Sequence, residues 1–138
     1  MANTYPLQVI TPERVMLEED VQLTIAPGSE GELGILINHA PLMTSLLPGE
    51  VRIVLADGRS TSHIVVSGGL LEVSRSGAVI LADHAERSDD IDVSQAEYDL
   101  AAAKQALADV SPGSLQERHA IVSVQHHEAR VRSGRGIR

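Results

Sequence analysis

The chain has 138 residues, no cysteine and 1% aromatic residues, which excludes disulfide scaffolds, thiolate zinc sites and thiol nucleophiles and argues against base-stacking platforms for nucleic acid. That length allows one domain with an appendage, or two small domains, around a core that must be aliphatic. The net charge of −8 divides unevenly, with 17 acidic and 6 basic side chains in residues 1–110 but Glu117 and Glu128 against five arginines in residues 111–138.

At the N-terminus, MANTYPLQVIT lacks the basic start and long apolar core of a signal peptide, and no apolar run approaches the roughly 20 residues of a membrane span. A soluble cytoplasmic protein is expected, meeting any membrane through a protein partner. From residue 7 to residue 82, short β-branched and aliphatic runs recur between turn signals: LQVIT, VQLTIAP, EVRIVLA, HIVVS, LLEVS and AVILA. Asp57-Gly58 and Ser76-Gly77 separate pairs of these runs, as hairpin turns require, and many short strands with tight turns predict an antiparallel sandwich or barrel. Alternation predicts Val21, Leu23 and Ile25, and likewise Val51, Ile53 and Leu55, on the core side. HIVV and AVIL are continuous enough for strands covered on both faces. Residues 28–49 hold Gly28, Gly31, Gly34 and Gly49 around two short apolar runs, which reads as a pinned surface loop suited to docking, with positive φ or close backbone approach at the glycines.

After Ala82 the segment DHAERSDDID is polar and acidic, a linker by composition, and a domain boundary is expected there: a β-sandwich over 1–85 and a helical hairpin with a basic tail over 86–138. Asp92 and Gln95 form a helix-start pair, followed by Ala96, Leu100, Ala103, Leu107 and Val110 in one apolar stripe. Ser111-Pro112-Gly113 stops that helix, and Ser114 with Glu117 opens a second one. Its stripe is predicted as Leu115, Val122 and Ala129, flanked by Ile121, with residues 133–138 disordered. The fold class is therefore α+β: an N-terminal antiparallel β-sandwich followed by a C-terminal antiparallel two-helix hairpin.

Catalytic chemistry finds little support. His126 and His127 are adjacent and diverge by about 100° on a helix, His119 and His126 lie roughly 10 Å apart, and His63 and His84 read as polar surface, so no metal is expected. The stretch G-S-E-G-E-L-G places two carboxylates where a phosphate would be repelled, and G-x-S-x-G is absent. Glu30 and Glu32 would serve acid–base work only inside an enclosing cleft. The alternatives are a sandwich module for a small ligand, which would need a concave polar or aromatic surface, and a metal-dependent β-barrel enzyme, which would need convergent ligands.

Three stretches, GELGILINHAPLMTSLLPG at 31–49, VSGGLLEV at 66–73 and LADHAERSDDID at 81–92, stand in the order and spacing of a known family. The chain resembles the epsilon subunits of F-type rotary ATP synthases, called delta in mitochondria, along most of its length. It departs from the family pattern at Ile37-Asn38, where Pro-Gly often precedes His-Ala-Pro-Leu. The resemblance implies a non-catalytic central-stalk subunit at the cytoplasmic face of the bacterial plasma membrane, gripping the gamma subunit and the c ring and coupling proton translocation to ATP synthesis. Glu32 and His39 match loop positions associated with the polar loops of the c ring. The C-terminal helices of the family lie folded on the sandwich or extend along gamma toward the alpha/beta catalytic head, where basic residues restrain ATP hydrolysis; Arg118, Arg130 and Arg132 are the candidates. Some members bind ATP at Ile-Asp-x-x-Arg-Ala. Here the run is Ile91-Asp92-Val93-Ser94-Gln95-Ala96, and without the fixed arginine charge neither ATP nor another cofactor is expected.

Overall fold

One long strand organises the sheet. The computed structural model describes residues 3–137, and in it β2 (Val15–Gly28) serves two layers. Its first part pairs antiparallel with β1 (Tyr5–Ile10), and its second part pairs with β3 (Gly31–Ile35) and β5 (Gly49–Leu55). The first layer continues from β1 through β8 (Gly77–Leu81) and β7 (Gly69–Ser74) to β4 (Leu42–Leu46). From β5 the second passes through β6 (Thr61–Val66) to β9 (Ala85–Arg87). All pairings are antiparallel except β1 with β8, which run parallel. Inward side chains of both layers meet in one aliphatic core, with Leu7, Val9, Leu71 and Ile80 against Val51, Ile53 and Ile64. Each such residue contributes about 1.5–3 kcal/mol of burial.

The turns follow their residues. Gly58 and Gly77 have φ of 73° and 143°, and Asp57 Oδ1 accepts from the Arg59 and Ser60 amides at 2.8 and 2.7 Å. At Gly69, φ is 146° and a Cβ would sit 2.0 Å from the Leu81 carbonyl oxygen, so only glycine fits.

The expected alternation in β2 fails at one point. A register irregularity between Val21 and Leu23 inverts the parity, so Val21, Thr24 and Ala26 are buried while Leu23 and Ile25 are half-buried. Thr24 is tolerated because its hydroxyl lies 2.8 Å from the Tyr5 hydroxyl. AVIL also differs from expectation: Ala78 and Ile80 are buried but Leu81 is 47% exposed, because nothing covers the outer face there. In β6, Ile64, Val65 and Val66 are all buried as expected, with Val65 turned to the helices.

The acidic segment after Ala82 is more ordered than a linker. It forms β9, paired with β6, and a 3-10 turn (Ser88–Asp90), because its polar side chains find partners: Arg87 Nη2 donates to the Met16 carbonyl at 2.5 Å and Ser88 Oγ to the His63 carbonyl at 3.3 Å. α1 (Val93–Asp109) starts on Asp92, which accepts from the Gln95 amide at 3.1 Å, and α2 (Leu115–Gly134) starts on Ser114, which accepts from the Glu117 amide at 3.1 Å. The α1 stripe falls where predicted, with Ala96 and Ala103 buried and Leu100, Leu107 and Val110 half-buried. The α2 stripe does so only at Ala129, half-buried against Val65, Ile91, Ala96 and Val131. Leu115, Ile121 and Val122 are exposed, and the inward line runs through Ala120, Val124, His127, Val131 and Gly134. The helix continues to Gly134 with Ser133 buried, so residues 133–137 are structured and Arg138 lies outside the described residues. α2 packs on α1 and, through its C-terminal part, on β5 and β6, where Val65, Ile91, Ala96 and Val131 form a second cluster.

Candidate functional site

The loop end of the sandwich carries the first candidate residues. β3 and β4 are joined by residues 36–41, and Asn38 sits at φ 63°, the left-handed conformation that a glycine adopts most easily. The His39 amide closes this turn onto the Leu36 carbonyl at 3.2 Å, and His39 Nδ1 lies 2.7 Å from the Ala40 carbonyl oxygen. The fixed loop leaves large apolar side chains in solvent, with Leu36 59% and Met43 63% exposed and Ile37 beside them. Gly28 allows the tight β2–β3 turn, since a Cβ would meet the Gly31 carbonyl oxygen at 2.6 Å, and Gly31 has φ 127°. Gly34 has neither constraint.

Glu32 stands on β3, bridged at 3.2 Å by Arg52 Nη2 from β5 to both carboxylate oxygens. The structure does not bring Glu32 and His39 into one pocket. His39 lines a shallow cleft of about 480 Å³ with Tyr5, Leu36, Arg75 and Gly77. Glu32 lines another, between the sheet and α2, together with Arg52, Glu50, Glu128 and Arg132.

The three arginines occupy different environments. Arg118 and Arg132 are exposed on α2. Arg130 is not: its side chain is 10% exposed, Nε donates to Glu86 Oε1 on β9 at 2.6 Å, and Nη1 donates to Asp99 Oδ2 on α1 at 2.8 Å. Nη1 also lies 3.1 Å from His127 Nδ1. Burial works against the Arg130 charge, but the hydrogen bonds to Asp99 and Glu86 outweigh it and raise its pKa. Hydrogen bonds from Arg130 and Gln95 hold the Asp99 carboxyl below the usual carboxylate range. Burial, followed by His127 and Arg130, pushes His126 down to about 4, and burial with Arg130 also lowers His127. Gln95 at the modified Ile-Asp-x-x-Gln-Ala run donates to Asp99 Oδ1 at 2.9 Å.

His63 is less exposed than a surface histidine, bonding Glu50 at 3.2 Å beneath α2, where Ser133 Oγ also donates to Glu50. Arg52, Glu86 and Asp99 were not singled out by sequence reasoning, and His127 was weighed only as a metal ligand. Asp99 and His127 had local signals, the i,i+4 spacing from Gln95 and the i,i+3 spacing to Arg130; Arg52 and Glu86 meet their partners through sheet register and helix docking. Among the described residues no cluster of His, Asp and Glu has the arrangement of a metal site, and no helix is long and apolar enough to cross a membrane.

Residues 4–88 match the family model described as ATP synthase, Delta/Epsilon chain, beta-sandwich domain. The ATP synthase epsilon chain of Desulforamulus reducens is 46% identical over 107 residues, covering 78% of this chain and 80% of the relative. That of Carboxydothermus hydrogenoformans is 47% identical over 112 residues, covering 81% and 82%. In fold, the chain is similar to a chain of the Euglena gracilis mitochondrial ATP synthase structure containing OSCP, F1 and the c-ring, with TM-score 0.78, 21% identity and coverage of 94% and 80%. It is likewise similar to one in the central stalk and c-ring structure from Tetrahymena thermophila, with TM-score 0.63, 15% identity and coverage of 97% and 96%.

Proposed function

The chain belongs to the delta/epsilon family of ATP synthase subunits, and from that premise we propose how its parts divide the work. It is a non-catalytic central-stalk subunit of an F-type ATP synthase. Residues 1–85 form the docking part, which holds the gamma subunit and sits on the c ring so that proton-driven rotation reaches the catalytic head. Residues 86–138 form the regulatory part, whose exposed cations Arg118 and Arg132 meet an acidic surface of the head when the hairpin leaves the sandwich. Arg130 joins them only after giving up Glu86 and Asp99. The chain works as a peripheral subunit at the cytoplasmic face, touching the membrane through its protein partners.

The observation that carries the docking role is the loop end: the turn fixed at Asn38 exposes Leu36 and Ile37, and Met43 at the start of β4 is exposed beside them. A monomer gains nothing from rigid exposed apolar side chains, whereas an interface does. Glu32 and His39 supply charge-assisted hydrogen bonds to the polar loops of the ring. The test is reconstitution of the Glu32→Ala, His39→Ala double variant onto ring-containing membranes, alongside thermal melting. Weakened assembly with an unchanged melt supports the site. Unchanged assembly removes both residues from it.

A further inference from the structure

The interface between α2, α1 and β9 centres on Arg130, held by the carboxylates of Glu86 and Asp99 and flanked by the imidazoles of His126 and His127. A guanidinium has only N–H donors, so Arg130 Nη1, 3.1 Å from His127 Nδ1, donates to that nitrogen and requires it to be unprotonated. The neighbouring His126 ring has its centroid 5.1 Å from that of His127. A proton on either imidazole therefore places a second charge beside Arg130, and one on His127 Nδ1 also turns a hydrogen bond into two opposed donors.

We infer that the folded hairpin is an acid-released latch: with His126 and His127 neutral, Arg130 clamps α2 to Glu86 of β9 and Asp99 of α1, and proton uptake by these imidazoles detaches the hairpin from the sandwich. This concerns where the hairpin sits, and is separate from what it does to hydrolysis once it leaves.

The surrounding charges set the direction. His126 lines a cleft with Glu13 and Arg14 from the β1–β2 turn, and with Asp83, His84 and Glu86 from the segment leading into and through β9. α1 presents Asp99 to His127. The carboxylates favour a charged His127, but Arg130 already occupies Glu86 and Asp99, and burial with the Arg130 charge prevails. β5 and β6 present Glu50 and His63 beside Ser133, about two turns beyond His126. There His63 lies 3.2 Å from the Glu50 carboxylate.

The sign follows from linkage. His126 is held near 4 when docked and returns to about 6.5 when detached, so the detached state binds more protons between those values and gains on acidification. Between about pH 7.5 and pH 5, His126 alone shifts the docked-to-detached ratio by about 30-fold. Asp99, held below its usual range by Arg130, stays ionised throughout that window, so its loss does not cause the release.

The experiment is segment-resolved hydrogen exchange on the full chain at about pH 7.5 and about pH 5, corrected for intrinsic rates, with proton NMR of the histidine ring C–H groups across the same range. Protection of residues 93–134 should fall at least tenfold more than protection of the β1–β8 strands, about tenfold being one pH unit for one imidazole. The His126→Gln, His127→Gln variant should hold its hairpin protection at both pH values, since glutamine offers Arg130 a carbonyl acceptor and does not titrate. If this variant fails to dock at neutral pH, the wild-type titration decides: release coincident with protonation of both rings supports the latch. Protonation of both with the hairpin still docked overturns it, as does an equal acid loss of protection in the variant.

Discussion

The Tyr5 hydroxyl lies 2.8 Å from both Thr24 Oγ1 and the Ile35 carbonyl oxygen, tying β1, β2 and β3 together inside an otherwise aliphatic core. Burial raises its pKa, which keeps the phenol protonated and able to donate. Tyr5→Phe leaves the Ile35 carbonyl and the Thr24 hydroxyl without that partner, and should destabilise the sandwich by about 1–3 kcal/mol, read as a lower denaturant midpoint at unchanged slope. Gly69→Ala should cost more than Tyr5→Phe, because the new methyl meets the Leu81 carbonyl at 2.0 Å on a backbone at φ 146°. The turn glycines were legible in the sequence because φ preference is local. Thr24 was not legible as a core residue, since the irregularity that turns it inward is a property of the pairing with β5. Arg130 was legible only as a cation; its burial against Glu86 and Asp99 depends on residues 44 and 31 positions away.

Elements differ in how much they depend on the rest of the chain. α1 announces itself through its cap and its stripe, and both were readable from residue spacing. α2 was found by its cap but mis-phased, because its docking face is built from small and polar residues, Ala120, Ser133 and Gly134 among them, while Leu115 and Val122 face solvent. β9 was missed because a charged three-residue strand has no hydrophobic period to detect; it exists through its ladder to β6. The hairpin buries much less apolar side chain than the sandwich, so it should open first. Leu100→Ala, at a half-buried position against the Val65, Ile91 and Val131 cluster, should loosen the hairpin by about 1–3 kcal/mol, below the range for fully buried leucine. Segment-resolved hydrogen exchange checks this: faster exchange in residues 93–134 with unchanged exchange in β1–β8 is expected. Equal loss in both would make the chain one cooperative unit.

In the whole molecule, His39 and the loop at 36–41 lie away from the helices laid over β5 and β6, whereas Glu32 and Arg132 line one cleft between the sheet and α2. Two exposed arginines and one latched arginine make opposite predictions for the assembled enzyme. Arg118→Ala with Arg132→Ala removes cations that are free in the folded placement and should raise ATP hydrolysis, most clearly at low salt, because exposed charges are screened beyond about 8 Å at physiological ionic strength. Glu86→Gln leaves every arginine in place but weakens the hold on Arg130, and should lower hydrolysis by freeing the hairpin. Deleting residues 111–138 should also raise hydrolysis, but it uncovers Val65 and leaves α1 unpartnered, so the substitutions are the cleaner comparison. The central claim is that this chain couples the ring to the head through its sandwich, at Glu32 and His39, and proton-driven ATP synthesis by membranes stripped of the subunit tests it most directly. Adding back the wild-type chain should restore synthesis, and the Glu32→Ala, His39→Ala chain, folded to the same melting temperature, should restore much less. Full restoration by the double variant, or none by the wild type, would contradict the account.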